Sequence, residues 1–141
     1  MTDKQINGTK SEILAQYYLI NKGYWVSKPI NDFLEYDFIA DDNEGHIHRV
    51  QVKTIYFDNS KQRWIASCVT SHRRSEGIVN KKYSINSFDY GLFICKECNA
   101  AYFIPIDLIT ERRGITFYPD GKNIPTSSRY ENFEKYKDTI L

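Results

Sequence analysis

The sequence of 141 residues predicts an α+β, sandwich-like domain in which a mixed β-sheet is flanked by helices. One amphipathic helical segment opens the chain, a run of short apolar strand segments follows, and helical character returns near the end. Tyr (11) and Phe (8) are abundant, and both residue types favour sheet. The length suits one domain with a real core, so we expect residues 1 to 141 to form a single domain.

The first helix is predicted from about residue 10 to residue 22. Thr9 suits the N-cap, and Gly23 follows the last turn. Glu12 lies three residues after Thr9, so it can complete a capping box, and this structural role stays open beside any functional one. Apolar side chains recur at helical spacing at Ile13, Leu14, Tyr17, Tyr18 and Leu19.

Strands are predicted at residues 24 to 26, 36 to 40, 47 to 57, 64 to 69, 88 to 95 and 101 to 104. A turn at residues 41 to 45 makes the second and third of these an antiparallel hairpin. Residues 71 to 87 fit either a loop or a short helix, and residues 113 to 127 an irregular excursion. Pro105 can open a short helix, and residues 130 to 140 a final one.

Charge is distributed in two poles, although the net charge is only +1. Residues 32 to 44 hold six acids and no Lys or Arg, whereas residues 60 to 82 hold six bases and one acid. An acidic pole can hold a metal ion and a basic pole can hold phosphates, while two solvated faces of opposite sign are the simpler alternative. No apolar run approaches the roughly 18 residues of a membrane span, and the first residues are polar, so we expect a soluble, cytoplasmic protein.

The three cysteines indicate reduced thiols rather than a disulfide framework, because their number is odd. Cys95 and Cys98 have the spacing of a zinc knuckle, but only Cys68 and His72 are available to complete four ligands. We therefore expect the Cys95–Cys98 segment to flank a hairpin turn.

Polar side chains inside an apolar strand mark the candidate site. Gln51 and Lys53 alternate with Val50 and Val52, so each pair shares one face of the strand. The predicted hairpin brings Asp37 beside Gln51. A carboxylate, an amide oxygen, the Val52 backbone carbonyl and an ammonium group then meet at one point. Burying such groups costs several kcal/mol unless something there needs them.

Hydrolysis of a phosphodiester bond requires a set of this kind. Mg²⁺ prefers hard oxygen ligands, and a bound metal makes a water molecule more acidic and neutralises charge on the phosphate. Lys53 can position the water and adds positive charge where negative charge develops. Because Gln51 is neutral, Glu12 is the candidate for the missing negative charge. Each residue also has a structural alternative as an ordinary polar position at the sheet.

In these residues the chain resembles the PD-(D/E)XK nuclease superfamily, over about residues 8 to 57 and more weakly to about residue 105. The matching segments are Gly8-Thr9-Lys10-Ser11-Glu12, Tyr36-Asp37 and Val50-Gln51-Val52-Lys53-Thr54. The likeness is to the branch with Gln in place of the second acid, which includes bacterial homing endonucleases encoded in group I introns. It implies a restriction-endonuclease-like α-β-β-β-α-β core.

The resemblance further implies catalytic roles for Glu12, Asp37, Gln51 and Lys53. It also implies Mg²⁺ or Mn²⁺ as cofactor, double-stranded DNA as substrate, and a homodimer or homotetramer. A Holliday-junction resolvase, a restriction-type nuclease and an inactive DNA-binding module remain as alternatives. Phosphate contacts are predicted from the basic pole, namely Lys61, Arg63, Arg73, Arg74, Lys81 and Lys82.

Overall fold

A six-stranded mixed sheet lies at the centre of the computed structural model, which describes residues 1–127 and 131–141, without the side chains of residues 71–74. The strand order is β1-β2-β3-β8-β9-β11. These strands are β1 (Trp25–Ser27), β2 (Phe38–Asp41), β3 (Ile47–Thr54), β8 (Tyr90–Cys95), β9 (Ala100–Pro105) and β11 (Lys137–Thr139). Only β3 and β8 pair in parallel in this sheet, whereas its other pairs are antiparallel.

Two smaller sheets lie between β3 and the chain end. One has the order β10-β5-β4 and the other is the hairpin β6–β7. Their strands are β4 (Tyr56–Asp58), β5 (Arg63–Ser67), β6 (Val69–Arg74), β7 (Gly77–Lys82) and β10 (Gly114–Phe117). Together with the helix α1 (Asp3–Asn21), they confirm the predicted α+β class with a mixed sheet. Among the described residues, no helix combines the length and apolar character needed to cross a membrane.

Helix α1 begins seven residues earlier than predicted. Thr2 is the N-cap, and its hydroxyl accepts a hydrogen bond from the Gln5 backbone N–H at 3.2 Å. Gln5 Oε1 in turn accepts from the Thr2 N–H at 2.8 Å, which completes a capping box. Thr9 lies inside the helix and donates its hydroxyl to the Gln5 carbonyl. The capping role considered for Glu12 is therefore wrong, because an earlier box already satisfies the helix start.

Two hydrophobic clusters lie on opposite faces of the central sheet. We call the first the helix-side core, in which Leu19 of α1 packs with Val50, Val52 and Leu92. The second, the outer core, contains Phe93 and the other buried residues Ile55, Cys68, Tyr83, Phe88, Tyr102, Ile104, Ile109, Ile115, Phe117 and Phe133, among others. Side-chain alternation along β8 sends Leu92 to one core and Phe93 to the other, so the sheet is covered on both faces.

Several local predictions differ from the structure. Residues 71 to 87 were expected to form a loop or a helix, but most of them form the β6–β7 hairpin, whose Val and Ile content suits strands. Residues 113 to 127 contain β10, which pairs with β5. In place of a final helix there is a 3₁₀ turn at Phe133–Tyr136 followed by β11, and residue 130 lies outside the described residues.

Two further turns agree with the predictions. A 3₁₀ helix follows Pro105 at Ile106–Leu108. Strands β8 and β9 pair antiparallel, with Cys95 opposite Ala100, so the predicted hairpin turn is present at residues 96 to 99; Cys95 is the last residue of β8, whereas Cys98 lies within the turn and does not flank it. Both cysteines are free thiols. The connection from β3 to its parallel neighbour β8 runs through the β4–β5 and β6–β7 hairpins, where the resembled core has a helix.

Candidate active site

The candidate site lies where β3 extends beyond its neighbour. Strand β2 begins at Phe38, opposite Val50, so residues 51 to 54 of β3 pair with β8 on one side only. Phe38 and Val50 are both fully buried in the helix-side core, which fixes this register. The open edge of β3 leaves backbone groups that need other partners.

Asp37, the residue immediately before β2, covers part of that open edge. Its backbone N–H donates to the Val50 carbonyl at 2.8 Å, and its Oδ2 accepts from the Val52 N–H, also at 2.8 Å. Burial raises the pKa of the Asp37 carboxyl above its usual value of 3.8, against the lowering effects of the Val52 hydrogen bond and of Lys53 and Lys28. The carboxylate is thus held at the strand edge with its charge only partly compensated.

A cavity of about 750 Å³ opens beside this carboxylate, between α1 and the edge of β3. Its lining includes Glu12, Asp37 and Gln51, together with Val52 and Thr54. Burial, and next the negative charge of Asp37, raise the pKa of Glu12 above its usual value of 4.5, while the charge of Lys28 acts in the opposite direction. The structure therefore brings three of the four predicted catalytic side chains to one cavity.

Helix α1 is fixed to β3 next to the cavity. The Ser11 and Thr54 hydroxyl oxygens lie 2.7 Å apart in a hydrogen bond, and Ser11 is buried. Ala15, one turn further along α1, is fully buried in the helix-side core. These contacts fix the position of Glu12, the residue after Ser11, along the length of β3.

Lys53, the fourth predicted residue, lies beside the cavity on the outer-core side of β3. Its Nζ donates to the Val69 carbonyl at 3.2 Å and lies 4.9 Å from the centroid of the Tyr83 ring. Burial lowers the pKa of Lys53, whereas the charges of Cys68 and then Asp37 act in the opposite direction. The Lys53 ammonium and the Asp37 carboxylate therefore interact, on the same side of the strand edge.

The oxygen atoms at the cavity suit a hard divalent cation. Glu12 and Asp37 offer carboxylates and Gln51 offers an amide oxygen, which are the donor types that Mg²⁺ and Mn²⁺ prefer. The carbonyl of Val52 points to the same side of β3 as its N–H, which is the side of Asp37. Among the side chains that the structure describes, which leave out those of residues 71–74 and 128–130, no three His, Cys, Asp or Glu residues are grouped so as to hold a metal ion.

Lys28 is a site residue that the sequence did not indicate. It follows β1, and its Nζ lies 3.9 Å from Glu12 Oε2 while two thirds of its side chain is exposed. Its charge also lowers the pKa of Asp37. Lys28 comes close to α1 because β1 pairs with β2 and packs in the helix-side core, and no local pattern around Pro29 contains that information.

The six predicted phosphate-binding residues lie on two different hairpins. Lys61 is exposed in the turn between β4 and β5, and Arg63 is exposed as the first residue of β5. Lys81 is exposed on β7, and Lys82 lies 3.9 Å from Glu111. Arg73 and Arg74 belong to β6, but their side chains lie outside the described residues.

Comparisons with known proteins identify the family of this chain and structures with a similar fold. The model of the PD-(D/E)XK endonuclease family matches residues 1–139. A bacterial homing endonuclease, I-Ssp6803I, has a similar structure with a TM-score of 0.80 and 23% identity, covering 96% of this chain and 89% of that chain. MepB is similar with a TM-score of 0.55 and 17% identity, covering 92% of this chain and 96% of that chain. No curated protein matches the sequence.

The fold, a mixed sheet with one helix packed against it, is restriction-endonuclease-like. The chain belongs to the PD-(D/E)XK endonuclease family, because the family model spans nearly its whole length. The resemblance found in the sequence is confirmed, including the likeness to a bacterial homing endonuclease.

Proposed function

We propose that this protein is a metal-dependent endonuclease that hydrolyses phosphodiester bonds in double-stranded DNA at specific sites. The observation that carries the proposal is the convergence of Glu12, Asp37 and Gln51 on one cavity, with the Lys53 ammonium next to it. Family membership supports the nuclease activity. Similarity to a homing endonuclease suggests that cleavage is site-specific rather than general.

Mg²⁺ or Mn²⁺ would be held by the carboxylates of Glu12 and Asp37, the Gln51 amide oxygen and the Val52 carbonyl. When bound there, the cation would acidify a water molecule and offset charge on the phosphate. The raised pKa values of Glu12 and Asp37 fit this role, because two close, partly buried carboxylates gain most from a cation.

Lys53 acts on the substrate side of the same site. Its ammonium group can donate hydrogen bonds to the attacked phosphate and to the water beside it, and it adds positive charge where negative charge develops. Since Val69 and Tyr83 hold the ammonium in place, little reorganisation is needed during the reaction.

DNA would be bound through the basic residues of the two hairpins, which are Lys61, Arg63, Arg73, Arg74, Lys81 and Lys82. Such residues position the duplex through its phosphates and carry no sequence information themselves. A homodimer or homotetramer would place a second copy of the site on the opposite strand, which a double-strand cut requires.

A plasmid-cleavage assay with added Mg²⁺ tests the proposal. We expect the wild-type protein to cleave a plasmid that carries its target, and Asp37→Asn and Lys53→Met to cleave it at least about 100-fold more slowly. Glu44→Gln and Lys122→Met are matched controls, because both side chains are exposed on turns away from the cavity. If all five proteins are equally active, or if wild type fails on a library of random duplex sequences, the proposal is wrong. Four-way junctions as a second substrate distinguish a junction resolvase.

An inactive DNA-binding module is the alternative that Gln51 favours, since the site has only two carboxylates. Calorimetric titration with Mg²⁺ separates the two functions. Binding heat that disappears in Asp37→Asn supports the enzyme, whereas DNA binding without any metal binding supports the module.

A further inference from the structure

The β6–β7 hairpin is anchored at a point that also holds Lys53. Val69 is the first residue of β6, and it pairs with Lys82, the last residue of β7. Tyr83 follows Lys82 directly and is 4% exposed in the outer core. The two ends of the hairpin therefore meet the body of the protein at Val69 and Tyr83.

Both of these residues contact the Lys53 ammonium. The Val69 carbonyl accepts its hydrogen bond at 3.2 Å, and the Tyr83 ring lies beneath it at 4.9 Å from centroid to Nζ. Carbonyl oxygens and aromatic faces both attract a cation, and the attraction is stronger in a desolvated place. The Lys53 side chain thus takes its position from the base of the hairpin as much as from β3.

The remainder of the hairpin extends into solvent. Residues 77 to 81 are all exposed, and Ile78 and Val79 are 67% and 39% exposed. The hairpin forms a two-stranded sheet of its own. Among the described residues, no further strand pairs with either of its edges. A two-stranded ribbon of this kind fits the width of the DNA major groove, and Lys81 is placed to contact the phosphates beside it.

We infer that Val69 and Tyr83 are positioning residues that couple engagement of DNA by the β6–β7 hairpin to the placement of the Lys53 ammonium. This inference rests on the proposed function. When duplex DNA binds the exposed ribbon, any change in the angle of the hairpin is transmitted to its base, where the two contacts to Lys53 lie. A correctly seated duplex then keeps Lys53 beside the scissile phosphate.

Substitutions at Tyr83 separate positioning from packing. Tyr83→Phe keeps the ring, whereas Tyr83→Leu keeps an apolar side chain without a ring face. We expect Tyr83→Phe to keep kcat within about twofold of wild type and Tyr83→Leu to lose at least about tenfold in kcat, with little change in KM. Tyr83→Met provides a flexible apolar replacement in case Tyr83→Leu does not fold. Tyr24→Leu is the matched control, because Tyr24 packs with His48 and Phe103 on the other side of the sheet.

A second readout does not need catalysis. In NMR spectra, a ring below Lys53 shifts its ε-methylene protons upfield in wild type and in Tyr83→Phe, and the shift disappears in Tyr83→Leu or Tyr83→Met. Addition of duplex DNA without divalent cation should change these signals together with those of residues 77 to 82.

The two readouts distinguish failure of the inference from failure of the proposed function. Equal kcat in Tyr83→Phe and the folded ringless variant, or no upfield shift in wild type, overturns the positioning role. Hairpin signals that move with DNA while the Lys53 signals do not overturn the coupling. A wild-type protein that cleaves no DNA overturns the proposed function, and the ring shift then still decides whether the base of the hairpin positions Lys53.

Discussion

Asp37 has two roles, since it accepts a hydrogen bond from the open edge of β3 and is a proposed ligand of the cation. Substitutions can separate these two roles. Its Oδ2 accepts the Val52 N–H at 2.8 Å, and its charge faces the cavity. Asp37→Asn keeps an oxygen acceptor for Val52 but removes the charge. Asp37→Ala removes both. We expect both variants to lose at least about 100-fold in cleavage rate, as the loss of one preorganised electrostatic group does elsewhere.

Their stabilities should differ because of a single hydrogen bond. In Asp37→Ala the Val52 N–H is left without its partner in a partly buried place, which costs about 1–3 kcal/mol. Asp37→Asn avoids this cost and also avoids burying a charge. It should therefore be more stable than Asp37→Ala by about 1–3 kcal/mol, which corresponds to a urea midpoint higher by on the order of 1 M.

The pH dependence of stability gives an independent check. The folded pKa of Asp37 is raised above its ordinary value of 3.8, so the folded state holds this proton to higher pH than the unfolded chain. The contribution of Asp37 to stability is therefore greatest below pH 3.8 and falls as pH rises through the interval up to the raised pKa. Wild type without metal should lose stability across that interval relative to Asp37→Asn, whose side chain does not titrate.

Urea unfolding in EDTA at several pH values measures these differences. A matching series in Mg²⁺ should stabilise wild type by about 2.7 kcal/mol at 100 times the dissociation constant, and Asp37→Asn by far less. If Asp37→Ala is as stable as Asp37→Asn, the hydrogen bond between Asp37 and Val52 does not contribute the expected free energy to stability. If Mg²⁺ stabilises both variants as it does wild type, Asp37 is not a metal ligand.

Three further predictions concern the same strands. Gln51→Glu should fold normally and should bind Mg²⁺ more tightly than wild type, as measured by calorimetry, because it adds a third carboxylate. Loss of the folded state would mean that Gln51 is structural. Lys53→Met should lower kcat by about 10²–10³-fold while DNA affinity, measured by gel shift, stays close to wild type, and a parallel loss of affinity would contradict its assignment to the chemical step. Gly91→Ala should destabilise the fold by about 1–3 kcal/mol, measured by urea unfolding, because its new Cβ would lie 2.6 Å from Ile109 Cδ1 and 2.8 Å from Phe93 Cε2. An unchanged urea midpoint would show that both side chains move away without an energetic cost.

The parts of the fold with a strong local pattern could be predicted from the sequence. The hairpin of β2 and β3 follows from a turn-rich acidic segment between two apolar runs, and the structure pairs Phe38 with Val50 accordingly. Alternation of Val50 and Val52 with Gln51 and Lys53 also fixes which side chains leave the helix-side core. These signals are short-range, and they place most of the candidate site.

Two of the features that the sequence did not predict depend on pairing between distant parts of the chain. Strand β10 exists because it pairs with β5, and Lys28 reaches Glu12 because β1 adds to the edge of β2. The start of α1 was missed for a different reason. Thr is a favourable N-cap residue, so both Thr2 and Thr9 are candidates for the helix start. Gly8, which lies between them, lowers helix propensity but does not end the helix.

The hydrophobic pattern of β3 specifies the site as well as the fold. A register shift of one residue against β2 would turn Gln51 and Lys53 into the helix-side core and Val50 and Val52 toward the outer-core side, at a cost of several kcal/mol for polar groups that have no partners in the helix-side core. Every register that buries the two valines therefore also presents the amide and the ammonium on the opposite face. In this strand the requirement for a stable core and the requirement for a precisely placed polar set therefore favour the same register.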